Sequence, residues 1–302
     1  MGSGKLEKSD LSAEENLNNL FEEFDSTAKN STILTDRIVV VKLGGSTLGK
    51  HDTTIQDIVK LQSDGFSPLV VHGGGKIISD WMNRMGSRPK FIKGLRVTDQ
   101  DSLNIVVSVL SGLVNKTLVS EVNSRGGKAF GLSGVDGSIL RAKITNPELG
   151  FVGEIDQINP KPLQILIQNN IIPIISPVSI QIDQKGCITD QMLNVNADTV
   201  AGHIAKTIGA GKLVFMTDVE GVLDPYRRLI PRLTVDQALG LIKSKVVEGG
   251  MIPKIEACIN SLSEVRSASI VDGRVSHSLI DYLSGNKIGT KLEQEKLNEF
   301  SG

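Results

Sequence analysis

The chain has 302 residues, 39% hydrophobic and 22% charged, with 33 lysines and arginines against 34 acidic residues, for a formal net charge of -1. That balance excludes the basic footprint of a nucleic-acid or anionic-membrane binder, and the length allows one large domain or two modest ones with a substantial core. No apolar run approaches the ~18 residues of a membrane span, the N-terminus is polar and acidic rather than a secretory signal, and neither the two cysteines nor the four histidines adopt a metal-ligand spacing. A reduced, cytoplasmic protein is expected.

In chain order, Met1 to Lys5 and the terminal Ser301-Gly302 read as tag remnants. Ser12 and Glu15 form a capping-box pattern ahead of Leu17, Leu20, Phe21 and Phe24, which recur at i, i+3, i+4 and i+7. Residues 1–36 are therefore expected to be a remnant plus an amphipathic helical extension, ending in the polar stretch from Ser26 to Asp36. From Arg37, strand and helix alternate. Ile38 to Lys42 and Leu69 to Val71 read as strands, Thr53 to Gln62 and Ile77 to Met85 as helices. Thr98, with Asp101 three residues on, is the expected cap of a long helix through Leu103, Val106, Leu110, Val114 and Leu118. Further strands are expected at Lys128 to Leu132 and Ile171 to Ser176. Hairpins are expected between Ser138 and Ile155 and around Asp183-Gln184-Lys185-Gly186, and a helix over Pro162 to Gln168. The remainder reads as a helix over Ala197 to Thr207, a strand over Leu213 to Met216, helices over Val235 to Ile242 and Ile252 to Leu262, a strand over Ser269 to Val271, and a last helix from Ser276. This alternation predicts an α/β fold with a mainly parallel sheet and ligands at the strand carboxyl ends.

The apolar run Pro68 to Val71 breaks into His72-Gly73-Gly74-Gly75-Lys76 just before a helical pattern. Glycines there allow either a tight turn or the close approach of bare N–H groups to an anion. Neither standard nucleotide loop fits. A Walker A loop needs glycine at Val70 and Ser or Thr at Ile77, and a dinucleotide fingerprint needs glycine at Ile78. Four more glycine-marked turns (Lys42-Leu43-Gly44-Gly45, Gly131-Leu132-Ser133-Gly134, Thr217 to Gly221, and Gly249 to Lys254) suggest a phosphate-rich crevice.

Lys42 ends an apolar strand, which leaves it either a solvated end residue or a cation at the sheet's carboxyl edge. Lys254 follows Pro253 in the first turn of a helix, where the helix dipole disfavours a cation by ~0.3–1 kcal/mol unless an anion intervenes. Asp198 opens a helix, as a dipole-stabilising acid or as a carboxylate orienting the two ammonium groups. Arg96 is a surface arginine or a bidentate carboxylate fork.

Taken together, Lys-Leu-Gly-Gly at 42, His-Gly-Gly-Gly at 72, Gly-Leu-Arg-Val-Thr-Asp at 94, Asn-x-Asn-Ala-Asp-Thr at 194, Thr-Asp-Val-x-Gly-Val at 217 and Gly-Gly-Met-Ile-Pro-Lys at 249 resemble the acetylglutamate kinases of the amino-acid kinase family, in order from about Ile38 to Thr290. The resemblance implies a three-layer αβα sandwich, with residues 37–180 binding N-acetyl-L-glutamate and 181–302 binding ATP with Mg²⁺. It implies that Lys42 and Lys254 stabilise the transferring phosphoryl group, that Asp198 organises them, and that Gly74, Gly75, Arg96 and Asn194 bind the acyl amino acid. It further implies that Gly44, Gly45, Asp218, Val219, Glu220, Gly221, Val222, Leu223, Gly249 and Gly250 serve the nucleotide.

The physics is compatible with this. A carboxylate nucleophile with a pKa near ~4.3 needs no general base. The difficulty is repulsion, ~4 kcal/mol for two unit charges ~4 Å apart at an effective dielectric of ~20. Lysines, glycine N–H groups and Mg²⁺ travelling with ATP would counter it. The resemblance also implies a homodimer or hexamer and an arginine effector. There the chain departs from the pattern, with Asp281 where glutamate is usual and Lys287 where glycine is common. A kinase of carrier-linked glutamate or aminoadipate, and a non-catalytic amino-acid sensor, are the alternatives.

Overall fold

The computed structural model describes residues 35–44, 53–92 and 94–294. The expected N-terminal helix around Leu17 to Phe24 and the expected nucleotide contact Gly45 lie outside the described residues.

The chain runs through β1 (Ile38–Leu43), α1 (Thr54–Ser63), β2 (Ser67–His72), α2 (Gly75–Arg84), β3 (Phe91–Ile92), β4 (Leu95–Arg96), α3 (Gln100–Ser124), β5 (Ala129–Ser133), β6 (Leu140–Lys143) and β7 (Glu154–Ile158). It continues through α4 (Lys161–Gln168), β8 (Ile172–Ser176), β9 (Val178–Ile182), β10 (Ile188–Asn194), α5 (Ala197–Thr207), β11 (Lys212–Thr217), β12 (Arg232–Leu233), α6 (Val235–Lys243), α7 (Met251–Ser261), β13 (Ser267–Asp272), α8 (Ser278–Leu283) and β14 (Thr290–Leu292).

One eight-stranded sheet in the order β12-β14-β13-β11-β1-β2-β8-β5 forms the middle layer, parallel except where β14 runs antiparallel to β13 with β12 beside it. The strands are continuous apolar runs because both sheet faces are covered. Their two-residue period sorts the core. Val39, Val41, Leu43, Val70, Ile174, Val214 and Met216 face α1, α2, α3 and α8. Ile38, Val40, Leu69, Val71, Leu213 and Phe215 face α4, α5 and α7. A four-stranded sheet, β10-β9-β6-β7, flanks the second face, and β3 and β4 form a separate hairpin. The architecture is the expected three-layer αβα sandwich.

Local departures have physical reasons. The α3 cap is Asp99, whose Oδ1 accepts from the Ser102 N–H at 2.8 Å; the expected cap, Thr98, instead donates its hydroxyl to the Arg96 carbonyl. The strands β3, β4 and β12 have two residues each, too few to show a period, and α8 begins at Ser278 rather than Ser276. Helix α3 is 25 residues long and apolar enough to span a membrane by length and composition, and its stripe Val106, Leu110, Val114, Leu118 and Val122 is buried as a core layer. That stripe repeats every four residues, wider than the 3.6 of a straight α-helix, and a π-helical segment over Ser108–Val114 takes up the difference.

The strand order reverses at β1, whose neighbours are β2 on one side and β11 on the other. Such a switch point opens a crevice beyond the strand carboxyl ends. Lys42, Leu43 and Gly44 sit there beside His72 and Met216.

Candidate active site

The period of β1 sends Lys42 to the same face as Ile38 and Val40, the face covered by α5. Helix α5 starts at Ala197 because Asn196 caps it, its Oδ1 accepting from the N–H groups of Asp198 at 2.8 Å and Thr199 at 3.2 Å. The cap fixes Asp198 in the first turn, where its Oδ1 lies 2.7 Å from the Lys42 ammonium. Helix α7 supplies the third group. Lys254, in its first turn, places Nζ 3.1 Å from Asp198 Oδ2 and 3.1 Å from the Gly250 carbonyl. Two lysines far apart in sequence thus meet on one carboxylate.

The three side chains are largely enclosed: those of Lys42 and Asp198 are each 8% exposed and that of Lys254 19%. Burial pulls the Lys42 ammonium below its ordinary value, Asp198 opposing and Lys254 reinforcing the shift. Burial pushes the Asp198 carboxyl upward, but Lys42 and Lys254 together outweigh it and hold the group below the usual carboxylate range. The site therefore holds a net positive charge in poorly solvated surroundings, an arrangement that attracts an anion.

Arg96 is a second cationic element. On β4 it reaches back over the start of α2, donating from Nη2 to the Gly75 carbonyl at 2.9 Å and to Ser79 Oγ at 2.8 Å, with its guanidinium 4.8 Å from the centre of the Phe91 ring. It is buried, and among the described residues no carboxylate pairs with it. A buried charge without a counter-charge is costly unless a ligand supplies one. Asn194 joins Arg96 through Thr98, its Nδ2 donating to Thr98 Oγ1 at 3.2 Å while that hydroxyl donates to the Arg96 carbonyl at 3.0 Å. Gly74 and Gly75 form the turn into α2, and a Cβ on Gly74 would stand 2.7 Å from Leu110 Cδ2. A 630 Å³ cavity runs from Gly94 and Leu95 to Asn196, Gly249 and Gly250, linking the Arg96 hairpin to the starts of α5 and α7.

On the other flank of the switch point, Asp218, Val219 and Glu220 are exposed beyond β11, and Gly221 and Val222 turn inward. Thr290 ties this loop down, its Oγ1 accepting from the Val222 N–H at 2.8 Å and donating to the Ile230 carbonyl at 2.7 Å. Leu223 bridges to Leu229, and Asp218 is near enough to Lys42 to raise its pKa. Gly249 and Gly250 precede α7 and are exposed.

Lys42, Gly44, Gly74, Gly75, Asp198, Asp218, Gly249, Gly250 and Lys254 thus lie at strand ends and helix starts, whereas Arg96 comes from the separate β3–β4 hairpin, Asn194 ends β10 of the second sheet, and Val219 to Leu223 lie in the loop after β11. Three further groups support the site without being marked in the sequence. Thr98 bridges Arg96 and Asn194, Thr290 pins the loop from Asp218 to Leu223, and Asn115 lies buried beneath the glycine turn. None of the three has a local signal; Asn115 precedes Lys116 and Thr117 beside the apolar stripe of α3, where a polar residue reads as solvent-facing.

A sheet with a crevice at its topological switch point and a Lys-Asp-Lys cluster beside a glycine turn defines a class. The chain matches the amino acid kinase family over residues 37–272, and it belongs to that family. Among curated proteins it is 43% identical over 265 residues to the acetylglutamate kinase of a Synechococcus species, covering 85% of this chain and 86% of that protein. It is 43% identical over 278 residues to the acetylglutamate kinase of Methanothermobacter thermautotrophicus, covering 85% and 93%. Among solved structures, smu.665 from Streptococcus mutans superposes with a TM-score of 0.73 at 29% identity, covering 86% of this chain and 100% of that one.

Proposed function

We propose that this kinase transfers the γ-phosphoryl group of ATP to the γ-carboxylate of N-acetyl-L-glutamate, giving the acyl phosphate of arginine biosynthesis, and that it works in the cytoplasm as a homodimer or hexamer. The observation that carries the reading is the pair of ammonium groups held on Asp198, together with a buried Arg96 that no described carboxylate pairs. The curated relatives with that activity support it.

The donors here are ammonium groups and backbone amides, which suit phosphate and carboxylate oxygens better than a bare cation. Lys42, Lys254 and the amides around Gly249 and Gly250 would hold the triphosphate, with Gly44 and Asp218 to Leu223 along the nucleotide. Mg²⁺ would be carried by its phosphate oxygens, and the complex supplies the phosphoryl group. Arg96 and Asn194 orient the acyl amino acid, and the amides of Gly74 and Gly75 face its reacting carboxylate. Lys42 and Lys254 lower the repulsion between that carboxylate and the phosphates, and Asp198 keeps both ammonium groups charged and aimed. No proton has to be removed from the nucleophile.

Hydroxylamine trapping tests the reading, because an acyl phosphate yields a hydroxamate. ADP formation without hydroxamate refutes it. Lys42→Ala and Lys254→Ala should each lower turnover by roughly 10²-fold or more while leaving a folded chain. Arginine is proposed as an effector at the far end of the sheet, where a 480 Å³ cavity is lined by Lys212, Tyr282 and Lys291, the two lysines suited to an amino-acid carboxylate. If saturating arginine neither slows the reaction nor shifts its ATP response, that part falls.

A further inference from the structure

The glycine turn is held from below by a polar network inside an apolar layer. His72 is fully buried at the end of β2, with Nδ1 3.0 Å from the Gly73 carbonyl and Nε2 3.2 Å from Asn115 Nδ2. A carbonyl oxygen can only accept, so Nδ1 carries the proton and Nε2 presents a lone pair to the Asn115 amide. The orientation of Asn115 is fixed independently. Its Nδ2 directs one N–H at the Ile174 carbonyl at 2.9 Å and shares the other between His72 Nε2 and the Leu132 carbonyl, both at 3.2 Å, while its Oδ1 accepts from Lys116 Nζ at 3.1 Å. Burial, with Lys42 and Lys116 adding to it and the Gly73 hydrogen bond opposing, brings the His72 pKa down to about 4, so the ring is neutral near pH 7.

Asn115 reaches this place because of the π-helical segment that ends at Val114. The wider turn rotates the following residues, and an amide that continued α-helical phase would carry elsewhere faces the strand ends. The fit is close on both sides. A Cβ on Gly131 would lie 2.0 Å from Asn115 Oδ1, and one on Gly74 would lie 2.7 Å from Leu110 Cδ2, so α3 occupies the space that both glycine motifs leave open. The glycine turn is also next to the catalytic lysine, a Cβ on Gly73 standing 4.0 Å from Lys42 Nζ.

We propose that Asn115 is a positioning residue that acts through His72: it locks the ring as the Nδ1–H tautomer, which holds the Gly73 carbonyl and so aims the Gly74 and Gly75 amides at the acceptor carboxylate. The inference deepens the proposed carboxylate phosphorylation and rests on it for the ligand. It also explains why an amide is buried beside the apolar stripe of a core helix. Replacing the amide donor by an acceptor, as in Asn115→Asp, turns the ring around electronically. Nε2 then takes a proton, and the neutral ring loses the Nδ1 donor that held Gly73.

The test uses the full chain. Nitrogen-15 NMR of the ligand-free protein near neutral pH should show His72 as the Nδ1–H tautomer, and Asn115→Asp should give a ring protonated at Nε2. In the kinase assay the same variant should lose about 10- to 100-fold in kcat/KM for N-acetyl-L-glutamate, the size of an ångström-scale misplacement, with KM for ATP within about twofold of wild type. A purely structural role would lower Tm without that split between the two substrates. An Nε2–H ring in the wild type overturns the inference, as does an altered ring in the variant with unchanged kcat/KM for the acceptor. If Asn115→Asp fails to fold, His72→Asn, which keeps a donor near the Nδ1 position, should retain at least about tenfold more activity than His72→Gln, which keeps a group only near Nε2. Equal losses overturn it. A wild-type chain that does not phosphorylate N-acetyl-L-glutamate refutes the substrate reading, whereas the ring tautomer and its reversal are read without substrate and still decide the coupling from Asn115 to His72.

Discussion

Replacing Asp198 by asparagine keeps the volume of the side chain and removes only its charge. The Lys42 and Lys254 ammonium groups, now 2.7 and 3.1 Å from its two oxygens, would face one acceptor and one NH₂ donor, so one lysine must confront a donor whichever way the amide turns. With the carboxylate gone, two ammonium groups ~6 Å apart at an effective dielectric of ~20 repel by about 3 kcal/mol. In the free enzyme that repulsion should lower Tm by roughly 5 °C, and a comparable loss of transition-state stabilisation corresponds to roughly 10²-fold in turnover. Lys42, already pulled down by burial, also loses the group that favours its charged form, so the alkaline limb of the pH–rate profile should move to lower pH than in the wild type. Differential scanning calorimetry and hydroxamate assays across pH measure both. Turnover within about threefold of wild type, with an unmoved alkaline limb, would refute the claim that Asp198 organises two mutually repelling cations.

Other expectations follow from the same geometry. Arg96→Lys removes the planar fork that bonds Gly75 and Ser79, and the loss of a charge-assisted hydrogen bond, about 1.5–3 kcal/mol, should raise KM for the acyl amino acid roughly 10- to 100-fold with little change in KM for ATP. Thr290→Val leaves the Val222 N–H and the Ile230 carbonyl without partners, so steady-state kinetics should show a weakened KM for ATP and calorimetry a loss of about 1–3 kcal/mol. Because the Asp198 carboxyl is held low by its two lysines, the stability it contributes is present above the unfolded carboxylate value of ~3.9 and is lost as pH falls through the lower, folded value. Acid titration of Tm should therefore fall more steeply for the wild type than for Asp198→Asn, and parallel curves would contradict this.

Much of this molecule can be read from its residues because its signals are local. The apolar run Ile38 to Val41 is a strand buried on both faces, Asn196 is followed by a helix whose N–H groups it caps, and glycine clusters mark the turns at strand ends. Those patterns are sufficient for an alternating α/β sandwich and for the glycine-marked turns. What they leave open are the choices that depend on side chains from distant segments. Whether Lys42 is solvated or aimed into a crevice is settled by the strand's two-residue period together with the arrival of α5 and α7 on that face, which brings Asp198 and Lys254 to it. Arg96 is a surface arginine in any local reading and a buried guanidinium only because the β3–β4 hairpin folds over α2. Asn115 is one more polar residue beside an apolar stripe until a π-helical turn, β2, β5 and β8 surround it with acceptors. Secondary structure follows from neighbours along the chain, whereas charge, burial and hydrogen-bond partners follow from neighbours in space.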